Sequence, residues 1–366
     1  MSERCPTLPG MEEISHAAVA AKGTAALFAP AGIPAQASPP EAERAVREIP
    51  ADARPSDARP ADARPADGGS AEGRAWSLSP SRAADFMTCP MLYRFRVIDR
   101  LPEAPSPAMA RGTLVHAVLE RLFDEPAASR NPELAHRLLS PEWDRLVAAE
   151  PELAGLFADE DDHAAWLGQA RTMISRYFTL EDPTRLEPAH RELLVEAELE
   201  SGLRLRGYID RLDVSAAGEG RIVDYKTGTA PRADFEARAL FQMRFYALVL
   251  WRTQGAIPRL LQLMYLGNGE IVRYAPDEAD LRATERKIEA LWRAIERAIQ
   301  SRDWRPRPGK LCEWCAHQPI CPAFGGTPPP LPEQGLAAGA AALAARDGED
   351  ALAAGAELAR EKDFEP

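Results

Sequence analysis

Hydrophobic residues recur at helical spacing in several parts of the middle of the chain. In residues 111–123 they fall at every third or fourth position, as on the buried face of an amphipathic helix. These apolar positions are Leu114, Val115, Val118, Leu119 and Leu122. The pattern predicts a helix there, and we predict longer helices over residues 233–253 and 278–301.

Between the first and second of these helices, three segments have the pattern of strands: residues 193–200, 203–215 and 220–228. Short turn-forming sequences, Ser201-Gly202 and residues 216–219, separate them, so we expect neighbouring antiparallel strands. A hairpin is predicted for residues 260–265 and 270–274, around Gly267-Asn268-Gly269. Helices and strands together predict a mixed α/β core.

Both ends of the chain have a composition that disfavours folding. Residues 1–76 are rich in Ala, Pro and Asp, and they contain near-repeats of ADARP between positions 51 and 65. Such a segment buries too little apolar surface to offset its conformational entropy, so we predict that it is disordered. Residues 327–366 are predicted to form a flexible, acidic tail rich in Pro and Ala, which leaves one domain over residues 77–326.

Composition and charge narrow the class of protein. The formal net charge of −12 argues against a protein that coats nucleic acid through bulk positive charge. It is compatible with an active site in which carboxylates hold divalent cations. No apolar run approaches the ~18 residues that a membrane span needs, and the start of the chain lacks a signal-peptide pattern. We therefore expect a soluble, cytoplasmic protein without a membrane partner.

A carboxylate and a lysine are predicted to lie side by side on one strand. Because side chains alternate across a strand, Asp224 and Lys226 project from one face, whereas Val223 and Tyr225 project from the other. Asp210 lies on the preceding strand, and pairing of the two strands can bring it opposite Asp224. Two neighbouring carboxylates can hold Mg²⁺ or Mn²⁺, and a lysine can stabilise the charge that develops on a phosphate.

Several motifs together resemble one family of nucleases. G-x-x-D-R at residues 207–211 followed by D-Y-K-T-G at residues 224–228 resembles the PD-(D/E)XK nuclease superfamily, and within it the RecB branch. The segments SPSRAADFMTCPMLYRFR (79–96), RGTLVHAVLE (111–120) and QMRFY (242–246) occur in the order of that family. The resemblance implies a restriction-endonuclease-like α/β core, in which helices flank a mixed central sheet. It extends to the nuclease domains of RecB and AddB proteins and to CRISPR-associated adaptation nucleases.

The resemblance also implies a set of metal ligands. It makes the imidazole of His116, the carboxylates of Asp210 and Asp224 and the main-chain carbonyl of Tyr225 ligands of Mg²⁺ or Mn²⁺. It makes Lys226 the catalytic lysine. Without the flanking G-T-x-x-H pattern, His116 would be interpreted as an ordinary helix residue.

Further residues are implied beside the active site. Gln242 and Tyr246 are one helical turn apart and therefore share a helix face. The family pattern places that face near the active site, where it contacts DNA or orients Lys226. Either Glu196 or Glu198, on the first of the three strands, is a candidate for a third acidic group.

Four of the five cysteines suggest a shared metal centre. Cys312, Cys315 and Cys321 form a C-x₂-C-x₅-C pattern, and Cys89 can supply a fourth thiolate. The chemistry of four thiolates suits either tetrahedral Zn²⁺ or an iron–sulfur cluster. The resemblance to AddB-type nucleases, in which one early cysteine joins three late ones, favours a [4Fe–4S] cluster. Cys5 lies in the predicted disordered segment and is the unmatched cysteine.

These patterns predict a divalent-metal-dependent DNA exonuclease that acts on single strands or DNA ends in repair or recombination. The alternative is a non-catalytic module on a nuclease fold that binds a DNA end or a helicase partner. Asp210, Asp224 and Lys226 are all present, which favours catalysis, although the motifs do not discriminate DNA from RNA. The sequence has no phosphate-binding G-x-x-x-x-G-K-[ST] motif, so a separate helicase would have to supply strand separation.

Overall fold

The computed structural model describes the backbone of residues 77–230 and 233–332, together with their side chains except those of residues 233–238. The predicted disordered segment 1–76 lies outside the described residues, as does the predicted tail from residue 333 onward. The helices are α1 (Pro80–Thr88), α2 (Pro90–Tyr93), α3 (Pro107–Leu122), α4 (Pro132–Ala149), α5 (Glu160–Leu180), α6 (Ala233–Gln254) and α7 (Glu278–Ser301). The strands are β1 (Ser77–Leu78), β2 (His190–Glu198), β3 (Arg204–Val214), β4 (Gly220–Lys226), β5 (Leu260–Tyr265) and β6 (Glu270–Tyr274).

The strands form one six-stranded mixed sheet. Its main order is β1-β3-β4-β5-β6, and β2 also pairs with β3. The pairs β2–β3, β3–β4 and β5–β6 are antiparallel, whereas β1–β3 and β4–β5 are parallel. The expected antiparallel order of β2, β3 and β4 is confirmed, as is the mixed α/β fold class.

Helices cover both faces of the sheet and form two hydrophobic cores. Ile222 belongs to the core that α1, α6 and α7 cover, whereas Val223 and Tyr225 belong to the core that α3, α4 and α5 cover. Consecutive residues of β4 therefore alternate between the two faces, as the sequence predicts. This alternation directs Asp224 and Lys226 toward α6.

The predicted helices and the hairpin are present, with small shifts at their ends. Helix α3 begins at Pro107, four residues before the predicted start, because the Ser106 side chain accepts the N–H of Met109 and caps the helix. The bounds of β5, β6 and α7 match the prediction. Helices α4 and α5 lie in a stretch for which no element was predicted. None of the described helices is long and apolar enough to cross a membrane.

The last described residues return to the first helices of the domain. Arg94 donates a hydrogen bond to the carbonyl of Pro329, 235 positions away in sequence. Leu331 packs against the core, and His317 Nε2 is 2.7 Å from the carboxylate of Glu103. Pro329 and Leu331, which make two of these contacts, lie beyond the predicted domain end at residue 326.

Candidate active site

Asp210 and Asp224 come together where strands β3 and β4 separate. The β3–β4 ladder extends to Arg211 opposite Val223, so the two aspartates occupy the next positions. There the carboxylate of Asp210, in place of a main-chain carbonyl, accepts the N–H of Tyr225 at 2.8 Å. A side chain therefore ends the ladder and fixes the position of one carboxylate beside the other.

Strand β3 does not alternate regularly through this point. Ile209 belongs to the core beneath α6, whereas Arg211 contacts Tyr225 in the opposite core. Residues two apart on a regular strand share a face, so the strand changes face at Asp210. The β2–β3 register places Glu192 opposite Asp210, and Glu192 has a φ of 44°, a left-handed conformation that is uncommon outside glycine. This shared irregularity brings Glu192 to the site.

His116 on helix α3 completes a group of side chains that could hold a metal ion. One ligand atom each from His116, Glu192 and Asp210 lies within 4.8 Å of the others. Nε2 of His116 is 2.8 Å from the carbonyl oxygen of Tyr225. Nδ1 is buried, has no hydrogen-bond partner among the described residues, and is 3.5 Å from Oδ2 of Asp210. Two ligands with bonds of ~2.1 Å to one ion lie ~3–3.4 Å apart, and the 3.5 Å between His116 Nδ1 and Asp210 Oδ2 is close to this spacing.

The predicted lysine and the two predicted residues of helix α6 form a second group with Asp224. Lys226 Nζ is 2.7 Å from Asp224 Oδ2. The Gln242 amide joins them, because its Oε1 accepts from Lys226 at 3.0 Å and its Nε2 donates to Asp224 Oδ1 at 3.1 Å. The same Nε2 donates to the Tyr246 hydroxyl at 3.1 Å. Both oxygens of Asp224 are thus engaged in this group, and Asp224 is not part of the group around His116.

The two groups are linked electrostatically at Asp210. Burial is the main cause that raises the pKa of Asp210 to about 6, and the nearby carboxylate of Asp224 also raises it. His116, Lys226 and the hydrogen bond from Tyr225 act in the opposite direction and lower this pKa. At neutral pH the buried carboxylate is therefore ionised at a free-energy cost, which a bound cation would offset.

Arg211, the last residue of the G-x-x-D-R motif, anchors Tyr225 from the opposite face of the sheet. Its guanidinium donates to the Tyr225 hydroxyl at 2.7 Å and pairs with Glu181 at 2.8 Å and Asp213 at 3.1 Å. Arg211 is completely buried, so these two carboxylates balance its charge. Because the main-chain atoms of Tyr225 face the candidate metal ligands, this network helps to position them. No pattern in the sequence indicated Glu181, which is 30 positions away from Arg211.

Gly207, the first residue of the same motif, allows close packing beside the site. A Cβ atom at Gly207 would lie 2.6 Å from Cε1 of Tyr246 and 3.4 Å from Cδ of Pro80. Any side chain here would displace the Tyr246 ring. The glycine therefore brings helix α6, and the first residue of α1, against strand β3.

The third acidic side chain near Asp210 is Glu192, and neither of the predicted candidates occupies that place. Glu196 lies opposite Arg206 and is 3.5 Å from its guanidinium. It is four residues along β2 from Glu192, which corresponds to ~13 Å of strand, and Glu198 lies two residues farther. The prediction assumed regular strands, and a left-handed backbone at a glutamate cannot be recognised from the pattern of residue types.

The three late cysteines lie near one another in a segment of short 3₁₀ turns. Burial raises the pKa of the Cys315 thiol, and the neighbouring thiols of Cys312 and Cys321 raise it as well. The main-chain N–H of Gly309 donates to Cys312 Sγ at 3.3 Å. Cys312 and Cys321 therefore lie within electrostatic range of Cys315. Among the described residues, the cysteines form no group of three or more whose sulfur atoms all lie within 4.8 Å of one another.

The early cysteine lies against the chain that leads into this segment. The main-chain N–H of Arg307 donates to Cys89 Sγ at 3.3 Å, and its guanidinium donates to the carbonyl of Met87 at 2.6 Å. Cys89 and Arg307 are 218 positions apart in sequence. Cys5, the unmatched cysteine, lies outside the described residues.

Comparisons with known proteins agree with this fold. A family model described as the PD-(D/E)XK nuclease superfamily matches residues 77–322. Among relatives, the chain is 28% identical over 274 residues to the Gene 69 protein of Mycobacterium phage D29. It is 25% identical over 287 residues to the Gene 69 protein of Mycobacterium phage L5. Each match covers 67% of this chain and 96% of the phage protein.

Two solved structures are also similar to the chain. A crystal structure described as that of a candidate exonuclease from Eubacterium rectale is 16% identical, with a TM-score of 0.46, over 67% of this chain and 89% of that one. The crystal structure of SSO0001 is 19% identical, with a TM-score of 0.29, over 50% of this chain and 80% of that one.

The family match includes both groups of side chains in the candidate active site and most of the described residues. The fold and the site define a nuclease, for which DNA is the expected partner. The chain belongs to the PD-(D/E)XK nuclease superfamily.

Proposed function

We propose that this chain is a metal-dependent DNA exonuclease of the RecB branch, which cleaves single-stranded DNA or DNA ends in repair or recombination. The observation that carries the proposal is the juxtaposition of two groups where β3 and β4 separate. One contains His116, Glu192 and Asp210, and the other contains Asp224 paired with Lys226. A module that only binds DNA needs neither group. A separate helicase would supply strand separation when the substrate is duplex DNA.

The residues present fit a divalent cation such as Mg²⁺ or Mn²⁺. Carboxylate and carbonyl oxygens are the ligands that these ions prefer. His116, Glu192 and Asp210 would hold the cation. Asp224 and the carbonyl of Tyr225, which the family resemblance also implies as ligands, would join them by exchanging their present contacts with Lys226 and His116 for the cation. When bound, the cation supplies a Lewis acid that polarises the phosphate and favours attack by water.

Lys226 is positioned for contact with the scissile phosphate. Asp224 and Gln242 hold its ammonium group, yet 29% of its side chain remains exposed, so a phosphate oxygen can reach it. There it would stabilise the negative charge that builds up on the non-bridging oxygens during hydrolysis. Gln242 keeps Lys226 and Asp224 aligned, and the hydroxyl of Tyr246 restricts the orientation of the Gln242 amide.

We also propose that Cys89, Cys312, Cys315 and Cys321 bind a [4Fe–4S] cluster, with a structural Zn²⁺ as the alternative. The proximity of the three late thiols, and the contact of Cys89 with the chain that leads to them, support a shared centre. Main-chain N–H groups donate to Cys89 and Cys312, and such donors stabilise the charge of metal-bound thiolates. A centre with these ligands would link the two ends of the domain.

The decisive experiment measures cleavage of end-labelled DNA by protein purified without oxygen. Linear single-stranded, linear double-stranded and circular single-stranded DNA are each incubated with Mn²⁺, Mg²⁺ or EDTA, with an RNA oligonucleotide of the same sequence in parallel. We expect progressive shortening of linear DNA with either metal, no cleavage in EDTA, and resistance of the circle. Binding without cleavage under every condition would instead establish a non-catalytic module, and cleavage of the circle would establish an endonuclease.

A further inference from the structure

The segment from Arg302 to Trp314, which contains Cys312 and ends just before Cys315, presents an exposed tryptophan. Trp314 is 76% exposed, and Leu311 beside it is 54% exposed. Four other tryptophans that the structure describes are buried, and Trp251 is partly buried; the buried ones are Trp143, Trp166, Trp292 and Trp304. Exposure of a large aromatic side chain to water is unfavourable, and burial against a partner would remove this cost. Such exposure therefore indicates a binding partner.

The same segment carries a local excess of positive charge. It contains four basic residues and two acidic ones, within a chain whose formal net charge is −12. All four basic residues are exposed: Arg302, Arg305, Arg307 and Lys310. Exposed cations beside an exposed aromatic ring form the combination that binds single-stranded nucleic acid, because phosphates contact the cations and bases stack on the ring.

Contacts with the domain core hold this segment in place. Trp304 is buried and stacks on Tyr93, with ring centroids 5.9 Å apart and planes inclined by 14°. The main chain of Arg307 donates to Cys89, and its guanidinium donates to the carbonyl of Met87. The segment therefore presents its outward side chains from a fixed support, which limits the entropy lost on binding.

Helix α1 connects this segment with the candidate active site. Its first residue, Pro80, packs against Gly207, and the Tyr246 ring packs against the same glycine. Near its last turn, the carbonyl of Met87 accepts the hydrogen bond from Arg307. The nine residues of the helix span ~13 Å, which corresponds to about four nucleotides at the ~3.4 Å spacing of a stacked strand.

We propose that residues 302–314 form a binding surface for single-stranded nucleic acid, on which a base stacks against Trp314 while Arg302, Arg305 and Lys310 contact phosphates. This inference rests on the proposed nuclease function, and it names where the strand is held at a distance from the cleavage centre. An exposed tryptophan also suits a protein partner. The positive charge favours a polyanion, and the experiment below distinguishes the two.

The first test compares a normal oligonucleotide with one that lacks bases. Fluorescence anisotropy measures the binding of 15-nucleotide single strands, with bases or with consecutive abasic sites, to an Asp224→Ala background that does not cleave. Trp314→Ala should weaken binding of the normal strand about five-fold or more and leave binding of the abasic strand unchanged. Trp314→Phe should remain within about two-fold of the parent, because phenylalanine retains a stacking surface.

The second test isolates the phosphate contacts. Arg305→Ala should reduce the slope of log affinity against log salt concentration by about 0.7, as expected for one phosphate contact on a single strand. Arg259→Ala is the matched control, because its side chain is 76% exposed, against 85% for Arg305. Arg259 lies at the opposite end of β4 from Lys226, since its N–H bonds to Gly220. The control variant should leave the slope unchanged.

Intrinsic fluorescence provides a readout that a structural role of Trp314 would not give. The oligonucleotide should quench the tryptophan emission of the parent protein, and this quenching should disappear in Trp314→Phe although the variant still binds. Unchanged affinity of Trp314→Ala for the normal strand would overturn the proposal and leave a protein partner for this surface. An equal loss for normal and abasic strands would also overturn it, because that result indicates a damaged fold.

The tests distinguish a failure of this surface from a failure of the proposed nuclease function. If the wild-type protein cleaves DNA but Trp314→Ala binds as well as the parent, only the proposed surface is wrong. If binding depends on Trp314 but the wild-type protein cleaves no strand with any metal, the surface is supported and the nuclease proposal is wrong.

Discussion

Tyr225 contacts Asp210 through its main-chain N–H, at 2.8 Å, and not through its side chain. The carbonyl of the same residue is 2.8 Å from the imidazole of His116, while its hydroxyl accepts a hydrogen bond from Arg211 on the opposite face of the sheet. Tyr225 therefore connects the candidate metal site with a buried charged network. A substitution in the Arg211 network, on one face of the sheet, should consequently alter metal binding at the candidate site on the other face.

We expect Asp224→Ala and Lys226→Ala each to abolish cleavage while preserving the fold. Both residues belong to the group that Gln242 holds together, and Lys226 is proposed to stabilise charge on the scissile phosphate. Cleavage of labelled single-stranded DNA and the circular dichroism spectrum are compared with those of the wild type. More than a tenth of the wild-type turnover in both variants would contradict the assignment.

Asp210→Asn should stabilise the metal-free protein although it abolishes cleavage. Burial raises the pKa of Asp210 from 3.8 to about 6, so between these pH values the folded protein binds more protons than the unfolded chain. Stability therefore falls as pH rises through this window, and the loss is complete above it. In EDTA at pH 7.5 the Tm of Asp210→Asn should exceed that of the wild type, and the difference should narrow toward pH 4. A lower Tm at both pH values would refute the prediction.

Mn²⁺ should raise the Tm of the wild-type protein at pH 7.5, and less at pH 5, because protons compete with the cation for Asp210. Glu192→Gln should reduce this Tm shift, since Glu192 lies in the group around His116. Glu196→Gln provides the matched control on the same strand, because Glu196 pairs with Arg206 instead. Equal Tm shifts in both variants would remove Glu192 from the metal site.

Arg211→Met should lower the free energy of unfolding by up to about 3 kcal/mol, because it removes one of the two guanidinium groups that pair with Glu181 and Asp213 and leaves Arg221 as their remaining cation. Tyr225→Phe removes only the hydroxyl that accepts from Arg211, so a loss of about 1–3 kcal/mol is expected. Denaturant unfolding measures both values. If the Arg211 variant were as stable as the wild type, the network would not support the sheet.

Cys89→Ala should lose bound iron and lower the Tm, whereas Cys5→Ser should change neither. The reason is that Cys89 lies against Arg307 at the start of the cysteine segment, and a centre it shares with Cys312 would join the ends of the domain. Elemental analysis of protein purified without oxygen should give about four irons per chain. One zinc without iron would replace the cluster by a structural zinc site. Unchanged metal content and Tm in Cys89→Ala would exclude both.

Local patterns were sufficient to predict the elements that carry the motifs. Alternation in β4 correctly placed Asp224 and Lys226 on one face and Val223 and Tyr225 on the other, because this strand is regular and buried on both sides. Helical periodicity likewise located α3 and α6, which supply His116, Gln242 and Tyr246.

The features that escaped prediction depend on irregular backbone or distant contacts. Glu192 reaches the site because β2 and β3 change face together at Glu192 and Asp210, and no residue pattern announces that change. Glu181, the partner of Arg211 immediately after helix α5, comes from a stretch in which no element was predicted. Residue spacing describes one strand or helix at a time, whereas these contacts form only when separate elements pack.

The contacts of Cys89 with Arg307 and of Arg94 with Pro329 join residues 218 and 235 positions apart. They can form only after most of the domain has been synthesised. During synthesis, α1 and α2 leave the ribosome before most of the domain, whereas their partners Arg307 and Pro329 leave after all of its other α-helices and strands. Helix α1 also packs beside Gly207, next to Tyr246. Contacts of such long sequence separation form late in folding, so a nascent chain that ends before residue 307 lacks part of the support for its own active site. Nuclease activity should therefore arise only in chains whose synthesis has passed the final cysteine.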